Sequence, residues 1–116
     1  MPVRIGDIEI VALSDGEGAF PHTFAEFFPG VPEGSFDPWR EPHPASFAAQ
    51  HGPAAAAVPY ARYGLFLLRT PGALVLVDTG FGTDTGPYPR GGELLGDLAS
   101  HGVMPADIDL VVFSHL

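Results

Sequence analysis

The chain contains no cysteine, which excludes disulfides and thiolate metal sites and leaves the redox compartment open. It also contains no lysine, and its five arginines stand against fourteen acids for a formal charge of −9. A surface of that sign offers no basic groove, so neither nucleic acid nor an anionic membrane surface is expected as a partner. No apolar run approaches the roughly 18 residues needed to span a bilayer. The stretch Met1-Pro-Val-Arg-Ile-Gly-Asp7 lacks the basic segment and long apolar core of a signal peptide. A cytoplasmic location is therefore the expectation.

At 116 residues the chain reads as one small domain with a modest core. Fifteen glycines and thirteen prolines come close to a low-complexity composition, but apolar runs at 64–68, 73–77 and 108–113 argue for folded structure. The chain is organised around Ala73-Leu-Val-Leu-Val-Asp-Thr-Gly-Phe-Gly82. Its apolar start running into an acid and two glycines is the pattern of a buried strand that ends at a functional edge, with Asp78 at the carboxyl end.

From the amino terminus, Val3-Arg-Ile5 and Ile8-Glu-Ile10 flank Gly6-Asp7, which predicts a hairpin with positive φ at the first turn residue. The second strand continues to Leu13 and closes at Ser14-Asp15-Gly16, where Asp15 is read as bonding its own turn backbone in preference to facing a site. Residues 17–59 read as a long Pro/Gly/Phe-rich loop. Within it, Thr23 to Phe28 predicts a short helix with Phe24, Phe27 and Phe28 on one face, either packed core or a lid over an apolar substrate. His22, His43 and His51 lack the paired spacing of metal ligands. Strands 60–70 and 73–78, joined at Pro71-Gly72, are expected to pair as an antiparallel hairpin. A helix over 92–101 presents Leu94, Leu95 and Leu98 on one face and stops at Gly102, with His101 suited to its dipole. Pro105 bars continuation, and strand 108–113 follows. Strand, helix and strand make a crossover unit, so strands 73–78 and 108–113 are expected to be parallel, with Asp78 and His115 at one edge. A carboxylate and an imidazole there invite acid–base work or metal binding.

These residues carry a resemblance. Leu-Val-Leu-Val-Asp78-Thr79-Gly80-Phe-Gly82, a leucine-bearing helix and Met104-Pro105-Ala-Asp107-Ile108-Asp109-Leu-Val-Val-Phe-Ser114-His115-Leu116 resemble the first half of a metallo-β-lactamase-fold hydrolase. In that superfamily a strand ending in Asp-Thr-Gly precedes one ending in Thr/Ser-His-x-His-x-Asp-His. The aromatic loop and the Pro-x-Asp-Ile-Asp spacing resemble its lactonase and organophosphate-hydrolase-like branch. The implied fold class is α/β, layered as α+β: the N-terminal half of an αβ/βα sandwich, a mixed β-sheet with one crossover helix, over a partial domain 1–116. His115 matches the first motif histidine, and every later motif residue would fall beyond Leu116. The resemblance implies that a complete protein binds two divalent metals, usually zinc, whose bound water, with its pKa lowered toward ~7, attacks an ester, lactone or related bond. It makes His115 a metal ligand and assigns Asp78, Thr79, Gly80 and Ser114 to the structure behind the site. Zinc needs about three or four protein ligands and this chain offers one, so no complete catalytic set is expected and the isolated chain reads as inactive. Two other readings stand beside it: a non-catalytic remnant or interaction fragment, and an aspartic protease, since apolar-apolar-Asp-Thr-Gly is also that signature. Phe81 in place of a small residue and the late position of Asp78 count against the protease. Oligomeric state is left open.

Overall fold

The computed structural model describes residues 2–48 and 54–116; His51 lies outside them. The chain forms two compact units, one of residues 1–16, 62–85 and 90–116, the other of 17–61 and 86–89.

The described residues form a five-stranded sheet in the order β1-β2-β3-β4-β5, with β1 Val3–Ile5, β2 Ile8–Ala19, β3 Tyr60–Arg69, β4 Leu74–Val77 and β5 Leu110–Val112. β1 and β2 pair antiparallel with Ile5 opposite Ile8, and Gly6 takes φ 58° in the turn. β3 and β4 pair antiparallel from Arg69 opposite Leu74 to Phe66 opposite Val77. The Thr70 hydroxyl closes their turn, accepting from the Ala73 N–H at 3.0 Å. β4 and β5 are parallel, with Val75, Leu76 and Val77 opposite Leu110, Val111 and Val112. The crossover between them contains helix α3, Leu94–Ser100, so the mixed sheet and its single crossover helix agree with the sequence reading.

Alternation explains the core: Val11 and Leu13 on β2, Leu65 and Leu67 on β3 and Leu76 on β4 pack with Leu94, Leu98 and Val103. The spacing of two residues per strand and four on the helix puts these side chains on one face each. Leu95, predicted to share the helix face, is instead 62% exposed, because one residue of helical advance carries it about 100° away from Leu94. Leu67→Ala, at a fully buried position, is expected to cost about 2–5 kcal/mol, whereas Leu95→Ala stays within about 0.5 kcal/mol. Urea denaturation of the two variants checks the pair.

The structure differs from the sequence reading in two further places here. β2 does not close at Ser14-Asp15-Gly16 but runs on to Ala19, because Asp15 points into the structure rather than bonding its own turn. The stretch 17–59, read as a long loop with one short helix at 23–28, contains that helix as α1 Phe24–Phe27 and, among the described residues, also α2 Asp37–Arg40 and two short 3-10 turns. α1 starts in a capping box, Thr23 and Glu26 satisfying each other's backbone N–H. Its phenylalanines share a face only in part: Phe24 packs on Phe36 and Phe47, Phe28 meets the same Phe36 ring while staying 47% exposed, and Phe27 stacks on Phe20.

Candidate functional site

Asp78 follows the last residue of β4 and takes φ 64°, the one positive φ among the described non-glycine residues. That region costs an ordinary side chain free energy, and an aspartate tolerates it better than most. The turn aims the carboxylate along the sheet edge at Ser114, two residues past the end of β5. Ser114 donates its N–H to Asp78 Oδ1 at 2.8 Å and its hydroxyl to Oδ2 at 2.7 Å. The register is fixed by the backbone as well, Asp78 N–H donating to the Val112 carbonyl at 2.8 Å. The Ser114 bonds, hydroxyl first and then backbone, together with the charge of His115, outweigh desolvation and hold the Asp78 carboxyl below the usual carboxylate range.

Ser114 Oγ also lies 2.7 Å from His115 Nδ1. A hydroxyl has one proton, and here it is given to the carboxylate. The bond to the ring must therefore run the other way, from Nδ1–H to Oγ. That fixes neutral His115 as the Nδ1–H tautomer and leaves the Nε2 lone pair free, the state in which an imidazole binds a metal.

The sequence thus brings Asp78, Ser114 and His115 together at the edge where crossover sheets place their ligands. Thr79 is placed elsewhere, lining an apolar groove of about 300 Å³ with Leu76, Leu94, Leu98 and Ile108. Gly80 packs against Asp15, where a Cβ would come within 2.5 Å of the carboxyl group. His101 caps α3 and lies 3.8 Å from Asp97, consistent with its reading as a helix-end residue.

The group that sequence reasoning missed is Asp15. It is 1% exposed, and its carboxylate accepts four backbone N–H groups. Phe81 and Gly82 donate to Oδ2 at 2.7 and 2.9 Å; Gly92 and Leu94 donate to Oδ1 at 2.9 and 3.1 Å. Its carbonyl takes a fifth N–H, from Glu93. Burial alone would raise the carboxyl pKa, and the four donors reverse this and lower it. The expectation that Asp15 bonds its own turn is overturned: partners 66 to 79 residues away out-compete the local backbone. The signal available in sequence was an acid inside an apolar strand together with glycines at 80, 82, 91 and 92.

No group of three or more histidine, aspartate or glutamate side chains fit to hold a metal occurs among the described residues. One free imidazole nitrogen and a carboxylate already engaged by Ser114 do not make a zinc site, so these residues alone do not fit the metals implied by the resemblance.

This combination of mixed sheet, crossover helix and Asp-Thr-Gly and Ser-His strand ends matches the fold of the amino-terminal half of a metallo-β-lactamase sandwich. Residues 65–116 match the model of the metallo-beta-lactamase superfamily, which supports the superfamily resemblance read from the sequence. Among solved structures the chain is similar to AidC, a dizinc quorum-quenching lactonase in complex with the product N-hexnoyl-L-homoserine (TM-score 0.74, 22% identity, 99% of this chain and 35% of that one). It is also similar to a probable metal-dependent hydrolase from Staphylococcus aureus (TM-score 0.68, 21% identity, 97% and 39%) and to the hydrolase AbOPH of the beta lactamase superfamily (TM-score 0.69, 22% identity, 99% and 35%). The chain spans 35 to 39% of the length of these proteins. No curated protein matches it. Nothing in these matches supports the aspartic protease, and the Asp78 carboxylate is occupied by Ser114 of its own chain. No helix among the described residues is long and apolar enough to cross a membrane.

Proposed function

We propose that the chain is the amino-terminal part of a zinc-dependent hydrolase of the metallo-β-lactamase superfamily, acting on an ester or lactone, and that His115 is one of its metal ligands. The observation that carries this reading is the relay Asp78–Ser114–His115, which presents Nε2 of His115 as a free donor at the end of β5. The role of Asp78 and Ser114 is orientation: the charged carboxylate fixes the hydroxyl, and the hydroxyl fixes the ring. The remaining ligands would come from residues outside these 116, which is why the chain alone is expected to be inactive. The dizinc lactonase and the metal-dependent hydrolase among the structural neighbours support zinc and a small-molecule lactone or ester.

Turnover tests the reading. The chain alone, with zinc added, should leave an N-acyl homoserine lactone and an aryl ester intact. Joined after Leu116 to the carboxy-terminal portion of a superfamily relative, it should hydrolyse one of them, and a chelator should abolish the activity. Metal-independent hydrolysis by the chain alone would refute it.

A further inference from the structure

Asp15 is the most deeply engaged polar group described in this protein, and it is not part of the relay at His115. Its carboxylate is nevertheless joined to that relay by a short stretch of backbone. Residues 78–82 must reverse direction after β4, and three of the five do so with positive φ: Asp78 at 64°, Gly80 at 78° and Gly82 at 75°. A segment with that many left-handed residues is not held by its own preferences. Asp15 Oδ2 receives the N–H groups of Phe81 and Gly82, and Gly80 lies flat against the carboxyl because any Cβ there would collide with it. The other oxygen, Oδ1, binds Gly92 and Leu94, so the loop is tied to the start of α3 through one buried charge. At the opposite end of the loop, Asp78 directs Ser114, and Ser114 directs His115.

We propose that Asp15 is a positioning residue for His115: clamping residues 80–82, it fixes the left-handed turn at Asp78 and thereby holds the imidazole as the Nδ1–H tautomer with Nε2 free. The proposal deepens the reading of His115 as a ligand and rests on it for its purpose, while its geometry is tested without metal. A carboxylate is required because all four of its contacts are donors. Asparagine keeps the shape but turns an NH2 group toward two of those N–H groups, so one side of the clamp must open.

The test is ¹⁵N–¹H correlation of the His115 ring in the full chain, recorded above the pH at which the ring is protonated. His115→Ala identifies the signal. The wild-type chain should show the Nδ1–H pattern. Asp15→Asn should move it to the pattern of a free imidazole, dominated by Nε2–H, while circular dichroism retains the sheet. Leu98→Ala serves as a core variant whose destabilisation does not pass through the loop, and it should keep the wild-type pattern. The proposal is overturned if Asp15→Asn leaves the tautomer unchanged, or if Leu98→Ala loses it to the same extent. If Asp15→Asn does not fold, Gly80→Ala decides in the same way, since its Cβ pushes residues 80–82 off the carboxylate and leaves Asp15 in place. The zinc-dependent hydrolase reading is decided separately, by turnover of the joined protein.

Discussion

Asp15→Ala is expected to unfold the sheet unit under conditions in which the wild-type chain is folded. The substitution leaves four backbone N–H groups without the carboxylate that now accepts them, and Asp15 itself is 1% exposed. A hydrogen bond to a charged group contributes about 1.5–3 kcal/mol. If water recovers half of the four, the loss is still at least about 3 kcal/mol, a large part of the about 5–15 kcal/mol that holds a domain together. The urea midpoint should fall accordingly, and a variant as stable as wild type would show that these bonds are worth no more than their exchange with water. The pH dependence has a definite sign. The folded-state pKa of Asp15 is lowered, so its contribution is fully present above the unfolded-state value of about 4 and is lost as pH falls through the folded one. The stability gap between wild type and Asp15→Asn should therefore narrow on acidification below about pH 4, which parallel urea titrations would measure.

The second large effect concerns His115. In the protein joined to a carboxy-terminal portion, His115→Ala should lower kcat/KM by more than the about 10- to 100-fold that losing a partner behind a ligand costs. Ser114→Ala should fall within that range, because the ring keeps its position at the end of β5 and loses only the hydroxyl that sets its tautomer. Zinc content measured on the same proteins should drop most for His115→Ala. Equal activity of His115→Ala and wild type would remove His115 from the metal site.

Much of the fold was legible because it is local. Pro71-Gly72 between two apolar runs specifies the β3–β4 hairpin, and the chain from Asp78 to Asp109, with one helix, has the length and content of the crossover that a parallel pair needs. The helix face was overextended because Leu94 and Leu95 are adjacent and equally apolar, and only packing separates them. In the 17–59 stretch α1 was legible from Thr23 to Phe28, whereas α2 stayed hidden because it is a single turn, too short for periodicity to reveal. At the site, Asp78 and His115 were visible as strand ends and Ser114 came with the resemblance, but the bonds of its hydroxyl to both were not legible. Ser114 acquires its role from a register that brings it within reach of a residue 36 positions away. Asp15 was the most complete miss for the same reason, since every partner of its carboxylate is distant in sequence and short-range rules favour the turn.

The proposed function requires that a metal site begun at His115 be completed by residues beyond these 116. Reading the coding sequence directly downstream of the Leu116 codon tests it without any protein. The expected result is an in-frame His-x-Asp-His; a stop codon or an unrelated sequence at that point would contradict the assignment of His115 as a metal ligand and leave a non-catalytic remnant.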